Sequence, residues 1–201
     1  MVEELETALR DLSSTESAKR LVASRVLERA ARMVNNSVRE KALGHPSATA
    51  AITKSLWDDD PKVVQNSVIA LAEISRRYFK DDRAYPAVIL LLSSPDQLTR
   101  RWAANAAVTL RGELSWPEVA PLVRDRSAKV RAVVVLLAAN LAAHSELSPT
   151  VLEQLQTVSE VSNGDEDRQV REYAANLQRN VAVAVLRDKQ AKPGAVADPA
   201  S

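Results

Sequence analysis

Two acidic triplets, Asp58–Asp59–Asp60 and Asp165–Glu166–Asp167, are the residues of this chain best suited by type to hold a metal or act as a general base. A calcium loop of the helix–loop–helix kind needs alternating acids, a glycine at its sixth place and a glutamate at its twelfth, and neither triplet has that spacing. Both stand just before an apolar-striped run. There a carboxylate can accept a free first-turn amide, and its charge meets the positive end of the helix dipole. Helix capping is the expected role. His45 and His144 lie far apart, outside any HExxH-type spacing, and helix-end roles are expected for both. Four glycines, Gly44, Gly112, Gly164 and Gly194, leave no Gly-rich phosphate loop, and the chain has no cysteine for a disulfide, a thiolate site or a nucleophile. No catalytic residue, metal or cofactor is expected.

A second set carries a different chemistry. Gln65, Arg100, Arg131 and Arg171 each follow the first member of a recurring helical stripe (Val64, Thr99, Val130 and Val170), and acids precede each of them. A column of guanidinium groups can grip phosphates, or it can pair with the turn acids as a ladder. The chain carries 27 basic and 26 acidic residues, a net charge of +1, which speaks against a nucleic-acid partner. Asp60, Arg100, Asp125, Arg131, Asp165 and Arg171 are therefore the ladder candidates. Trp57, Trp102 and Trp116 could stack on bases, but Trp102 and Tyr173 each lie three places after the first member of a stripe, Thr99 and Val170. That match points to packing between repeated units.

These side chains must be positioned by helices. The sequence is 46% hydrophobic with only four glycines, which favours helix over sheet. Asp60-Pro61 reads as an N-cap with proline at the first helical position, and the same grammar recurs at Ser94-Pro95 and Ser148-Pro149. Ser37 to Glu40 reads as a capping box, and Gly44 and Gly112 as helix ends. These signals predict helices over 2–12, 16–34, 38–43, 48–57, 61–79, 83–92, 95–111, 117–124, 128–143, 149–160 and 167–187. The segment from 189 to 201, with two prolines and no apolar period, is expected to be a disordered tail. The most apolar run, Ala132 to Ala143, is too short for a membrane span and holds Asn140, so a buried helix is expected. The N-terminus has no secretory pattern, and the whole reads as a soluble, cytoplasmic protein.

The apolar stripes recur. Val64, Val68, Leu71 and Ser75 share the offsets of Thr99, Ala103, Ala106 and Leu110. Val130, Val134, Leu137 and Leu141 repeat them, as do Val170, Ala174, Leu177 and Val181. The first members lie 35, 31 and 40 residues apart. Aligning the AAN tripeptides that end at Asn105, Asn140 and Asn176 gives neater spacings but puts Arg131 out of register with Arg171. Two-helix units at such a period mean an α-solenoid, because one hairpin cannot bury its apolar face alone.

The stretches DRSAKVRAVVVLLAANL and DEDRQVREYAANL closely resemble the second helix of HEAT repeats, over about 48–185 and more weakly before. The resemblance implies an all-α, right-handed solenoid of stacked antiparallel helix pairs, about five repeats over residues 1–188. It also implies that second helices line a concave binding face. The positions opposite the stripe are then Asn66, Ala70 and Glu73; Arg101, Asn105 and Val108; Ala132, Leu136 and Ala139; and Glu172, Asn176 and Arg179. Of these, Asn66, Glu73, Arg101, Asn105, Leu136, Glu172, Asn176 and Arg179 are the contact candidates, with Leu136 an apolar anchor between polar flanks. The expected function is a non-catalytic adaptor for a protein partner. The alternatives the resemblance raises are an alkylpurine DNA glycosylase, a bilin-lyase-type subunit, or a small immunity or regulatory protein.

Overall fold

The computed structural model describes residues 2–33 and 37–191. Its helices are α1 (Val2–Asp11), α2 (Ser17–Arg32), α3 (Ser37–Leu43), α4 (Pro46–Lys54), α5 (Pro61–Arg77) and α6 (Tyr85–Leu91). They continue as α7 (Gln97–Arg111), α8 (Trp116–Val119), α9 (Ala128–His144), α10 (Pro149–Asn163) and α11 (Arg168–Ala191). Strands are absent among the described residues.

Helix starts follow the expected chemistry, with one correction. Asp60 accepts the Lys62 amide at 2.8 Å, and Pro61 opens α5. Ser148 caps α10 ahead of Pro149. Pro95, by contrast, stays in the turn. Asp96 caps α7, taking the Thr99 amide at 2.7 Å and its hydroxyl at 2.9 Å, so the helix opens at Gln97. Helix α4 starts two residues earlier than expected, at Pro46, because His45 Nδ1 accepts the Ser47 amide at 3.2 Å. Its C-terminal end tightens into a 3-10 turn over Ser55–Trp57.

The helix expected over 117–124 divides into α8 and a 3-10 turn, Ala120–Arg124. Pro121 lacks the amide for an i−4 bond and crowds the carbonyl four residues back, so the α-helix cannot continue. Gly112 ends α7 at φ 55°, a conformation costly for any residue with a Cβ. At Gly44, after α3, a Cβ would meet the Glu40 carbonyl oxygen at 2.6 Å. Helix α11 runs to Ala191, past the expected end at 187. Of the expected tail, residues 192–201 lie outside the described residues, as does the Ser37 side chain of the capping box.

The chain divides into two compact units, residues 1–133 and 134–201, with the boundary inside α9. In the first unit α2 packs on α5 and α5 on α7, while α1, α4 and α6 back α2, α5 and α7 in turn. The predicted stripes supply the seam. Val68, Leu71 and Ser75 on α5 are buried, and Thr99, Ala103, Ala106 and Leu110 on α7 are buried throughout. Four alanines of α7 (103, 104, 106 and 107) are fully enclosed, and such small side chains allow helix axes to approach closely. Val64 departs from the pattern and is half-buried, with fully buried Val63 beside it.

In the second unit α10 packs along α11. Asn180 donates to the Ala139 carbonyl at 2.9 Å, and Arg187 to the Ala142 carbonyl at 2.7 Å, joining α11 to the C-terminal half of α9. Val134, Leu141, Leu155, Val170, Ala174 and Leu177 are buried. The apolar run from Ala132 is thus core. No described helix is long and apolar enough to cross a membrane.

Candidate functional site

The column of cations is built one turn at a time. Arg100, near the start of α7, reaches forward to the turn that precedes α9. Its Nε and Nη2 donate to the Asp125 carboxylate at 2.7 and 2.8 Å, with both side chains only 6% exposed. Its Nη1 reaches back to the carbonyls of Ser94 and Pro95, at 2.8 and 3.0 Å. One guanidinium therefore closes its own turn and ties down the next.

The arrangement recurs. Arg20 on α2 grips Asp58, Nε to Oδ2 at 2.6 Å and Nη2 to Oδ1 at 3.1 Å, while its Nη1 holds the carbonyls of Ser14 and Thr15. Gln65 on α5 donates to Asp96 at 2.9 Å. Arg131 holds the Asp125 carbonyl at 3.0 Å, and Arg171 holds those of Asp165 and Glu166 at 2.6 and 2.8 Å. In all four arginines the bonded carbonyl lies six residues back. This common offset places Arg131 and Arg171 in the same register, so the stripe alignment is the structural one.

One ladder assignment is corrected and one rung is added. Asp60 is a helix cap, and the carboxylate that meets a guanidinium in its turn is Asp58. Arg20 was missed, because the repeat is weak before residue 48; the arginine three places before Ala23 was its signal. The turn acids also fold their own loops. The Asp58, Asp125 and Asp165 carboxylates each accept the amide two residues on, at 2.9, 2.8 and 2.9 Å.

The charges respond. Burial pushes the Asp58 carboxyl up, but the Arg20 guanidinium and the Asp60 amide outweigh it, and its pKa ends below the ordinary value. Asp125 behaves alike, with burial opposed by Arg100 and the Ser127 amide. Asp96 does too, through the Thr99 amide and hydroxyl and Gln65. The partner arginines are held more firmly charged, chiefly by these carboxylates. Arg20–Asp58, Gln65–Asp96 and Arg100–Asp125 are satisfied structural pairs.

The contact candidates divide. Glu73 is buried and paired with Arg76 and, at 3.0 Å, with Arg77, which also donates to the Ala31 and Met33 carbonyls of the preceding helix. Asn66 donates to Ser24 Oγ at 3.0 Å, tying α5 to α2. Both serve the stack. Ala70, Ala132 and Ala139, expected on the open face, are buried; α5, packed on both α2 and α7, has a narrower open strip than the stripe's opposite suggests. On α7 the half-exposed strip is Arg101, Asn105 and Val108. Asn105 bonds back to the Arg101 carbonyl at 3.0 Å. The Arg101 side chain makes no hydrogen bond or ion pair among the described residues, and its Nε is shielded without an acceptor. In the second unit Leu136 and Asn176 are half-buried and Arg179 is exposed, while Glu172 pairs with Arg168 at 2.7 Å.

The tryptophans separate by role. Trp116 is fully buried and Trp102 half-buried. Trp57 is 64% exposed at the edge of a groove of about 690 Å³ shared with Leu9, Leu12, Lys54 and Asp59. His45 is a cap and His144 ends α9, as their positions implied.

No family model matches the chain, and no curated protein matches its sequence. Solved structures do. An engineered protein superposes with a TM-score of 0.72 at 20% identity, covering 93% of this chain and 86% of that one. A designed armadillo repeat protein in complex with the peptide (KR)4 gives 0.67 at 16% identity, covering 97% and 94%. The complex of CpcE and CpcF of phycocyanin lyase from Nostoc sp. PCC7120 gives 0.66 at 16%, covering 94% and 71%. With the paired, stacked helices inside each unit, these likenesses define the fold as an α-solenoid of the armadillo and HEAT-like kind.

Proposed function

We propose that this chain is a non-catalytic interaction module that holds an extended, carboxylate-bearing segment of another protein along the exposed strip of α7. The observation that carries the reading is the contrast between two adjacent arginines. Arg100 spends its guanidinium on Asp125 and two carbonyls, whereas Arg101 has no acceptor. A half-buried cation with unmet donors gains most from a carboxylate or a backbone carbonyl brought by a partner. Asn105 and Val108, one and two turns along, add an amide and an apolar contact. The designed armadillo protein solved with (KR)4 illustrates a peptide bound to this kind of fold. On this chain the free charge is positive, so the complementary segment is acidic. A cysteine-free module of this type suits a reducing cytoplasm.

Selection from a random peptide library displayed on phage tests the reading. Enriched sequences should carry Asp or Glu, and should lose binding to Arg101→Glu with Asn105→Ala while the thermal midpoint stays unchanged. Peptides that bind wild type and variant equally would overturn it. A lyase-subunit role instead predicts binding to a tetrapyrrole-bearing protein, insensitive to those substitutions.

A further inference from the structure

The α1–α2 hairpin carries a second surface, separate from the α7 strip. Val22 on α2 is 60% exposed and Met33, just past its end, 47%, with Val26 half-buried between them. Two grooves flank this ridge. One, of about 390 Å³, runs past Leu5, Arg25, Arg29 and Met33, and the other, of about 560 Å³, past Glu3, Thr7 and Asp11. Exposed apolar side chains around shaped grooves mark a docking surface.

The charges say what docks. Helix α1 holds four acids and one base, and α2 holds five bases and one acid. Among the described residues, Glu3, Glu4, Arg25 and Arg29, which border the grooves, make no side-chain hydrogen bond or ion pair. Lys19, Arg20 and Arg32 are already paired with Glu16, Asp58 and Glu28, so the unspent charges of the face are the acids Glu3 and Glu4 on α1 and the bases Arg25 and Arg29 on α2.

We infer that the exposed face of the α1–α2 hairpin docks a second copy of this chain about a two-fold axis parallel to the hairpin, so that α1 of each copy lies on α2 of the other. That rotation puts Glu3 and Glu4 of each copy against Arg25 and Arg29 of its partner on both sides of the axis, and sets the Val22 ridge of each beside the grooves of the other. Like-on-like stacking, α1 on α1 and α2 on α2, sets acid on acid and base on base. A self-complementary patch of this kind closes at the dimer and does not propagate.

Sedimentation velocity on the full chain over a range of concentrations tests this. A reversible dimer is expected, weakening as salt screens the rim charges. Val22→Glu should give a monomer whose thermal midpoint matches that of wild type diluted to its monomer, because Val22 is exposed and only the dimer's added stability is lost. The charge-reversed variants E3K/E4K and R25E/R29E should each be monomeric alone and form a heterodimer when mixed, since the crossed contact then pairs an all-basic face with an all-acidic one. A chain that is monomeric at every concentration, or a dimer that survives all three variants, overturns the inference. Failure of the mixed pair to associate overturns the crossed arrangement.

Discussion

Arg100 and Asp125 form the clearest energetic unit at the scale of single residues, and their removal separates two effects. Both side chains are nearly excluded from water, so taking one partner away strands a charge in a poor solvent. Asp125→Ala should cost about 3–5 kcal/mol, because Arg100 loses its counter-ion and the Ser127 amide its acceptor. Replacing both, as Arg100→Met with Asp125→Leu, should cost less than the single change, since no charge is then left unpaired. Urea unfolding of the two single variants and the double variant, read as a cycle, checks this, and a double variant as weak as the sum of the singles would refute the pairing. The sequence showed the residue types and their order here. It could not show which of three consecutive acids meets a guanidinium. Asp58 and Asp60 are two residues apart, and only the turn's geometry aims one at Arg20 and the other at the Lys62 amide.

Among the elements, α5 breaks the rule that its neighbours obey. Arg20, Arg100, Arg131 and Arg171 all bond the carbonyl six residues back, but α5 has Gln65 in that place. Gln65 still reaches Asp96, yet it is too short to close its own turn. It is buried to nearly the extent of Arg100, 8% against 5% exposed, so the site tolerates the larger group's burial elsewhere in the stack. Gln65→Arg should add an ion pair to Asp96 and bonds to the carbonyls of residues 59 and 60. The desolvation of the new charge offsets part of that gain, leaving about 1 kcal/mol of stabilisation. A scanning-calorimetry midpoint raised by about 2–4 °C is the expected result. A fall would show that α5 sits differently from α7. Helix periods, caps and the register of the units were legible, because a 3.6-residue stripe and a proline leave direct marks on sequence. The open strip was not. How much of each second helix stays exposed depends on the bulk of its neighbours, and Ala70, Ala132 and Ala139, opposite the stripe by spacing, are core.

For the whole molecule the rungs act together through pH. Asp58, Asp96 and Asp125 each have a folded pKa below the ordinary carboxylate value, as does Asp81, held down first by Arg83. Unfolded, these groups take up protons near the ordinary value of about 4; folded, they resist until the pH is lower. Between the two values the unfolded chain binds more protons, so stability there rises with pH. The contribution is complete above the unfolded value and is lost as pH falls through the folded one. Urea midpoints should therefore hold level from neutral pH down to about 5 and drop steeply below about 4. Units that lean on their neighbours lose stability in sequence once one rung fails, which broadens the acid transition. Changing Asp58, Asp96 and Asp125 together to Asn keeps side-chain oxygens that can accept the turn and cap amides. It removes three of the four depressed carboxylates and leaves Asp81, so the triple variant should be weaker at neutral pH and flatter below 4. If it keeps the wild-type slope, acid sensitivity resides in other carboxylates and the rungs are not what acid dismantles.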